Sequence, residues 1–149
     1  MTFDGSGGSG ASKDTASSGG NDSLRRFGKL AGQEFPVTEK NIHKIETHLL
    51  RFSQEDGSMA PQNAMMIGRL KTAFAEGRPI SGADASFYFH ELYESSLMDA
   101  GMDYPEAHSL AFAEYGVSPF SVYTPEVVQS FPEFFNSNWF QFWGLGGDE

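Results

Sequence analysis

The sequence lacks cysteine, long apolar runs and a signal peptide. Without thiols, the chain can form neither a disulfide framework nor a thiolate metal site. No apolar stretch approaches the ~20 residues that a membrane-spanning helix requires. Residues 1–8 also lack the basic and apolar regions of a signal peptide. We therefore expect no membrane span, and we expect that any export of this chain depends on something other than its own leader.

Basic residues are absent from the second half of the chain. All ten Lys and Arg residues lie at or before Arg78, whereas residues 79–149 contain eleven acidic residues. Because a phosphate backbone attracts Lys and Arg, the second half repels nucleic acid unless a bound cation intervenes. Contacts with phosphate would have to come from the first half, and we name as candidate substrate-binding residues Arg25, Arg26, Lys29, Arg69 and Lys71.

Composition divides the chain into two parts. Residues 1–23 are mostly Gly, Ser, Asp, Thr and Ala, and they have too little apolar surface to offset the entropy of ordering. We interpret them as a flexible Gly/Ser-rich linker. Residues 24–149 are long enough for one folded domain with a sizeable core.

The folded part is predicted to be mainly α, as a single irregular domain of four to five helices. Helical spacing of apolar residues, with caps and breakers, favours helices at 38–53, 61–76, 79–100 and 105–115. An aromatic-rich, looped C-terminus follows, and residues 131–143 contain seven aromatic residues. A short hairpin within 117–124 is an alternative for that segment.

The helix predicted at 79–100 contains the most promising chemistry. His90 and Glu94 are four residues apart and therefore share a helix face, with Glu91 beside them. The next helix brings His108. We predict that these four residues meet around a common hollow open to solvent and form a catalytic site. The two histidines of the 38–53 helix, His43 and His48, are predicted to be ordinary surface or boundary residues.

Three interpretations of this group remain open. His90, Glu94 and His108 suit a divalent metal, zinc or magnesium, with Glu91 as general base. In a metal-free alternative, His90 or His108 transfers protons and a carboxylate orients the ring. In the third, His90 forms a local hydrogen bond and the two carboxylates face water.

Three segments resemble a known class of proteins. They are residues 80–94 (ISGADASFYFHELYE), 115–128 (YGVSPFSVYTPEVV) and 134–143 (FFNSNWFQFW). Together they resemble C-terminal toxin domains of bacterial polymorphic toxins, the cargo of contact-dependent inhibition, filamentous haemagglutinin-like and Rhs-type secreted proteins. The resemblance covers about residues 34–145 and carries no residue roles with it.

The resemblance implies an antibacterial effector that a larger carrier protein delivers into the cytoplasm of a target cell. It also implies a cognate immunity protein as partner. Such cargo is often a nuclease, so the first expectation is a toxin hydrolase that acts on nucleic acid. The alternatives are a toxin that acts on a nucleotide, a peptide or the cell wall, and a non-enzymatic protein-interaction module.

Overall fold

The computed structural model describes residues 16–145 and is mainly α, which confirms the predicted fold class. Five helices have 11 to 18 residues and two have six. The helices are α1 (Ala16–Phe27), α2 (Glu39–Leu49), α3 (Pro61–Ala75), α4 (Gly82–Asp99), α5 (Tyr104–Tyr115), α6 (Pro125–Ser130) and α7 (Ser137–Phe142). Within residues 16–145, β pairing is limited to one isolated bridge between Phe35 and Ile80.

Local sequence signals determine where the helices begin and end. The Thr38 hydroxyl accepts a hydrogen bond from the backbone N–H of Asn41 at 3.1 Å and caps α2. Pro61 begins α3, because its fixed φ and missing N–H suit the first helical turn. Gly116 ends α5 in the left-handed conformation with φ 67°.

The N-terminal and C-terminal regions of the described chain contain helices in addition to the four predicted ones. Residues 1–15 of the predicted linker lie outside the described part of the chain, and residues 16–23 belong to α1. This helix is held at its C-terminal end, where Arg26 lies over the Trp143 ring at 4.9 Å and Phe27 packs against the same ring. The predicted C-terminal aromatic segment contains α6, α7 and a 3₁₀ turn at Pro132–Phe134.

The hairpin alternative for residues 117–124 is wrong. The segment instead forms a 3₁₀ turn, Pro119–Val122, in which the Ser118 hydroxyl accepts a hydrogen bond from the Phe120 amide at 3.2 Å. Pro119 has no N–H to donate to a neighbouring strand, so it suits the turn better than a ladder.

Helix α4 lies at the centre of the core. Residues 85–88 are buried on every side, which requires neighbours all around the helix. Those neighbours are α2, α5 and the Pro119–Val122 turn, with smaller contributions from α1 and α3. In the described part of the chain, no helix is both long and apolar enough to cross a membrane.

Candidate functional site

Five side chains from three helices converge on one buried cluster. Helix α4 supplies His90, Glu91 and Glu94, helix α2 supplies His48, and helix α5 supplies His108. His48, His90, Glu91 and Glu94 are buried, and His108 is half-buried. The four residues predicted from the sequence are therefore close together, and a fifth joins them. The interpretation in which both carboxylates face water is wrong, because packing of α2 and α5 on α4 encloses them.

Glu94 is the centre of the cluster. Its Oε2 atom lies 2.7 Å from His108 Nδ1 and 3.1 Å from His90 Nε2. These two ring nitrogens are 3.3 Å apart. One carboxylate oxygen and two imidazole nitrogens thus form a small triangle of potential metal-binding atoms.

The other oxygen of Glu94 contacts a histidine that sequence reasoning missed. Glu94 Oε1 lies 2.6 Å from His48 Nε2, and Glu91 Oε1 lies 3.4 Å from the same nitrogen. The prediction that His48 is a surface or boundary residue is wrong, since its side chain is fully buried. A signal existed: His48 follows the buried Ile45 by three residues, so it shares the inward face of α2. The prediction holds for His43, which is exposed.

The charge state of the cluster follows from these contacts. Burial alone would raise the pKa of Glu94, but hydrogen bonds with His108, His48 and His90 outweigh burial and hold that pKa well below its usual range. Burial likewise opposes protonation of His48. Its hydrogen bonds to Glu91 and Glu94 prevail and raise the pKa of His48 to about 9. The Glu94 carboxylate is therefore anionic at neutral pH, and His48 carries a proton when no metal is bound.

Packing, rather than second hydrogen bonds, orients the buried rings. Within the described residues, Nδ1 of His48 and Nδ1 of His90 have no hydrogen-bond partner. The His90 ring instead stacks on Phe112 with centroids 4.0 Å apart, and the His48 and Phe52 rings pack in a T-shaped arrangement with centroids 5.5 Å apart. Both histidines consequently direct Nε2 toward Glu94.

Solvent reaches the cluster along one side. The His108 side chain is 40 % exposed, whereas that of Glu94 is 3 % exposed. Next to His108 lies the partly exposed ring of Tyr104, and the partly exposed ring of Phe52 lies 4.8 Å from the Tyr104 ring, between centroids. Tyr104 also lies 5.1 Å from the His108 ring. These three residues, His108, Tyr104 and Phe52, form what we call the site entrance.

The donor set fits a divalent metal. Ligand atoms around a tetrahedral zinc with bonds of about 2.0–2.1 Å lie roughly 3.3 Å apart. The edges of the Glu94–His90–His108 triangle are 2.7, 3.1 and 3.3 Å, so small shifts would accommodate the ion. Two imidazoles and a carboxylate with a fourth position open are typical of catalytic rather than structural zinc sites. These buried His and Glu groups could hold a metal ion.

No protein-family model, curated protein or solved structure matches this chain. The site itself is therefore the main basis for a functional assignment. The likeness to polymorphic toxins and the roles assigned to the site residues stay predictions.

The candidate substrate-binding residues are not members of the cluster. Most have acidic partners: Arg25 and Arg26 pair with Asp22, Arg69 pairs with Asp84 at 2.9 and 3.0 Å, and Lys71 pairs with Glu46 at 2.8 Å. Lys29 is exposed in the 3₁₀ turn after α1. Among the described contacts, none of the five is hydrogen-bonded or ion-paired to the His/Glu cluster.

Proposed function

We propose that this chain is a metal-dependent hydrolase that serves as the toxin cargo of a larger secreted bacterial protein, with nucleic acid as its substrate. The observation that supports the hydrolase is the triangle of Glu94, His90 and His108. Its ligand atoms lie within 3.3 Å of one another in a buried setting, and one of the three ligands is partly open to solvent. The toxin role and the nucleic-acid substrate rest on the sequence resemblance.

The donor types favour zinc over magnesium. Magnesium prefers oxygen ligands and retains several waters, whereas imidazole nitrogen is a preferred ligand of zinc. When bound, such a cation would polarise a substrate oxygen and lower the pKa of water in the fourth position.

The residues of the chain would position and protect this chemistry. Phe112 stacks on the His90 ring and would keep water from that face of the ring. His48 binds the second oxygen of Glu94 and so fixes the rotamer of that carboxylate. At the entrance, Tyr104 and Phe52 offer ring surfaces on which a planar group such as a nucleobase can stack.

A second candidate mechanism is metal-free acid–base catalysis. It is favoured by the 2.7 Å contact between His108 Nδ1 and Glu94 Oε2, because a buried carboxylate would orient a partly exposed imidazole. The other ring nitrogen of His108 would then transfer the proton.

Cleavage assays distinguish these mechanisms. The purified chain is incubated with total RNA and with plasmid DNA, in added Zn²⁺, in added Mg²⁺ and in chelator. His108→Ala is the test variant, and His43→Ala is the matched control because His43 is exposed on α2. We expect cleavage that requires Zn²⁺, persists in His43→Ala and is abolished in His108→Ala. Cleavage that survives the chelator and is lost in His108→Ala supports the metal-free mechanism.

Expression in a bacterial host without an immunity protein tests the toxin role. Growth arrest that depends on His108, with RNA and DNA intact, would reject nucleic acid and direct attention to a nucleotide, a peptide or the cell wall. Unimpaired growth would contradict the toxin proposal and favour a protein-interaction module.

A further inference from the structure

We propose that the cluster holds two divalent cations bridged by the Glu94 carboxylate. The first is the ion of the Glu94–His90–His108 triangle. The second would be bound by His48 Nε2, Glu91 Oε1 and Glu94 Oε1. This inference rests on the proposed metal-dependent function and deepens it, because a two-cation centre indicates the class of substrate.

The arrangement of Glu94 suggests the bridge. Each of its oxygens faces a different histidine: Oε2 lies 2.7 Å from His108 Nδ1, and Oε1 lies 2.6 Å from His48 Nε2. Because each oxygen of Glu94 faces an imidazole nitrogen that can also bind a metal, the carboxylate is oriented to bridge two ions. Two-metal sites typically separate their ions by ~3.5–4 Å, a span that one carboxylate covers.

The second set of atoms is also compact, and all three of its residues are buried. The donor atoms of His48, Glu91 and Glu94 all lie within 4.8 Å of one another. Glu91 Oε1 and Glu94 Oε1 approach the same nitrogen at 3.4 and 2.6 Å. A single imidazole N–H forms only one strong hydrogen bond, whereas a cation in this position would satisfy both carboxylates.

Charge also favours cations at this position. Glu91 and Glu94 are buried side by side on α4, and within the described residues neither pairs with a Lys or Arg. Buried carboxylates require compensation, which within residues 16–145 comes from imidazoles. Two divalent cations would neutralise both and leave a net positive centre.

A net positive centre explains how an acidic half-chain can attract an anion. Residues 79–149 contain no Lys or Arg, so helices α4 and α5, which supply four of the five cluster residues, have no basic side chain of their own for a phosphoryl substrate. Two-metal centres stabilise the attacking and leaving oxygens of phosphoryl displacement. The substrate class inferred for this site is therefore a phosphate ester, such as the backbone of a nucleic acid.

Metal stoichiometry tests the proposal independently of activity. The chain is stripped with chelator, dialysed to equilibrium against Zn²⁺, and analysed for bound metal by mass spectrometry and titration calorimetry. We expect two ions per chain in the unmodified protein and in the control His43→Ala. We expect one ion in His48→Ala and in Glu91→Gln.

The outcomes separate this inference from the proposed function. One ion in the unmodified chain overturns the second site and leaves the metal-dependent hydrolase intact, whereas no ion overturns both. Two ions in Glu91→Gln and His48→Ala would show that other residues hold the second cation, and would reject the assignment. If His48→Ala does not fold, the number of ions bound by Glu91→Gln is the deciding measurement, because glutamine keeps the shape of the glutamate side chain.

Loading with Mn²⁺ tests the bridge itself. Two Mn²⁺ ions that share Glu94 are expected to give the electron paramagnetic resonance signal of a spin-coupled pair. Spectra of isolated ions at full occupancy would contradict the bridging role of Glu94.

Discussion

Glu94 Oε1 lies 2.6 Å from His48 Nε2, although the two residues are 46 positions apart in the chain. This contact joins helix α2 to helix α4 through polar atoms in the middle of the core. The candidate site is consequently part of what holds the fold together. Substitutions in it are expected to change stability as well as activity, and each test needs a matched control.

Replacing Glu94 tests that structural role. Glu94→Gln removes the anion that three imidazoles share, and breaking a buried charged network by removing one partner costs about 3–5 kcal/mol. We expect the free energy of unfolding, measured by urea denaturation in chelator, to fall by that order. Glu114→Gln, at an exposed position on α5, is the control and is expected to change it by less than about 0.5 kcal/mol. Equal effects of the two substitutions would contradict the central position of Glu94.

The pH dependence of stability tests His48. Its pKa is raised from 6.5 to about 9 in the folded chain, so its contribution is fully present below pH 6.5 and is lost as pH rises through 9. The lowered pKa of Glu94 acts only at acidic pH and leaves this window unchanged. In chelator, we expect unfolding free energy to decline by on the order of 2 kcal/mol between pH 6.5 and 9. His48→Gln should flatten this decline, and an unchanged slope would reject the assignment.

Metal addition should stabilise the fold. A ligand that binds only the native state contributes about 2.7 kcal/mol at a hundredfold excess over its Kd. We expect Zn²⁺ to raise the Tm of the stripped chain and of His43→Ala, as followed by circular dichroism. His90→Ala should lose this shift because it removes one of the three ligands of the triangle. A Tm that is insensitive to Zn²⁺ in the unmodified chain would contradict the proposed metal centre.

The site entrance makes a prediction about substrate binding. Phe52 is 40 % exposed and contacts Tyr104 beside His108. Stacking of one base on an aromatic ring contributes about 1–3 kcal/mol, so Phe52→Ala is expected to raise KM roughly tenfold for an RNA substrate. The control is Phe74, a phenylalanine of similar exposure on α3, and Phe74→Ala should leave KM unchanged. A fall in kcat with KM intact would instead indicate that Phe52 acts through its contact with His48.

A close backbone approach outside the site provides a test of the fold. Gly28 has φ +48°, and a Cβ atom there would lie 2.3 Å from the carbonyl oxygen of Gly116. Gly28→Ala should therefore destabilise the protein by ~3 kcal/mol or more, measured by thermal denaturation. Gly32 also has positive φ, but nothing lies within 4 Å of an added Cβ. Gly32→Ala is expected to cost only the backbone strain of about 1 kcal/mol, and a similar loss in both variants would contradict the close packing at Gly28.

The sequence was most informative where the cause of a structure is local. Thr38, Pro61 and Gly116 each affect the backbone within one helical turn, so helix limits could be predicted from them. The pairing of His90 with Glu94 is equally local, because four-residue spacing places both on one helix face. His108 could be proposed for the same site because only a short connection separates α4 from α5.

The sequence by itself determined the helical class, the major helix limits and the part of the site that lies on α4. Only the tertiary structure decided that His48 completes the cluster, because that contact depends on how α2 packs across α4. Tertiary packing also decided that Glu91 and Glu94 are buried and that solvent enters at His108. The physical reason is that helix periodicity fixes which side of a helix a residue occupies, whereas its partners and its exposure depend on which other helix covers that side.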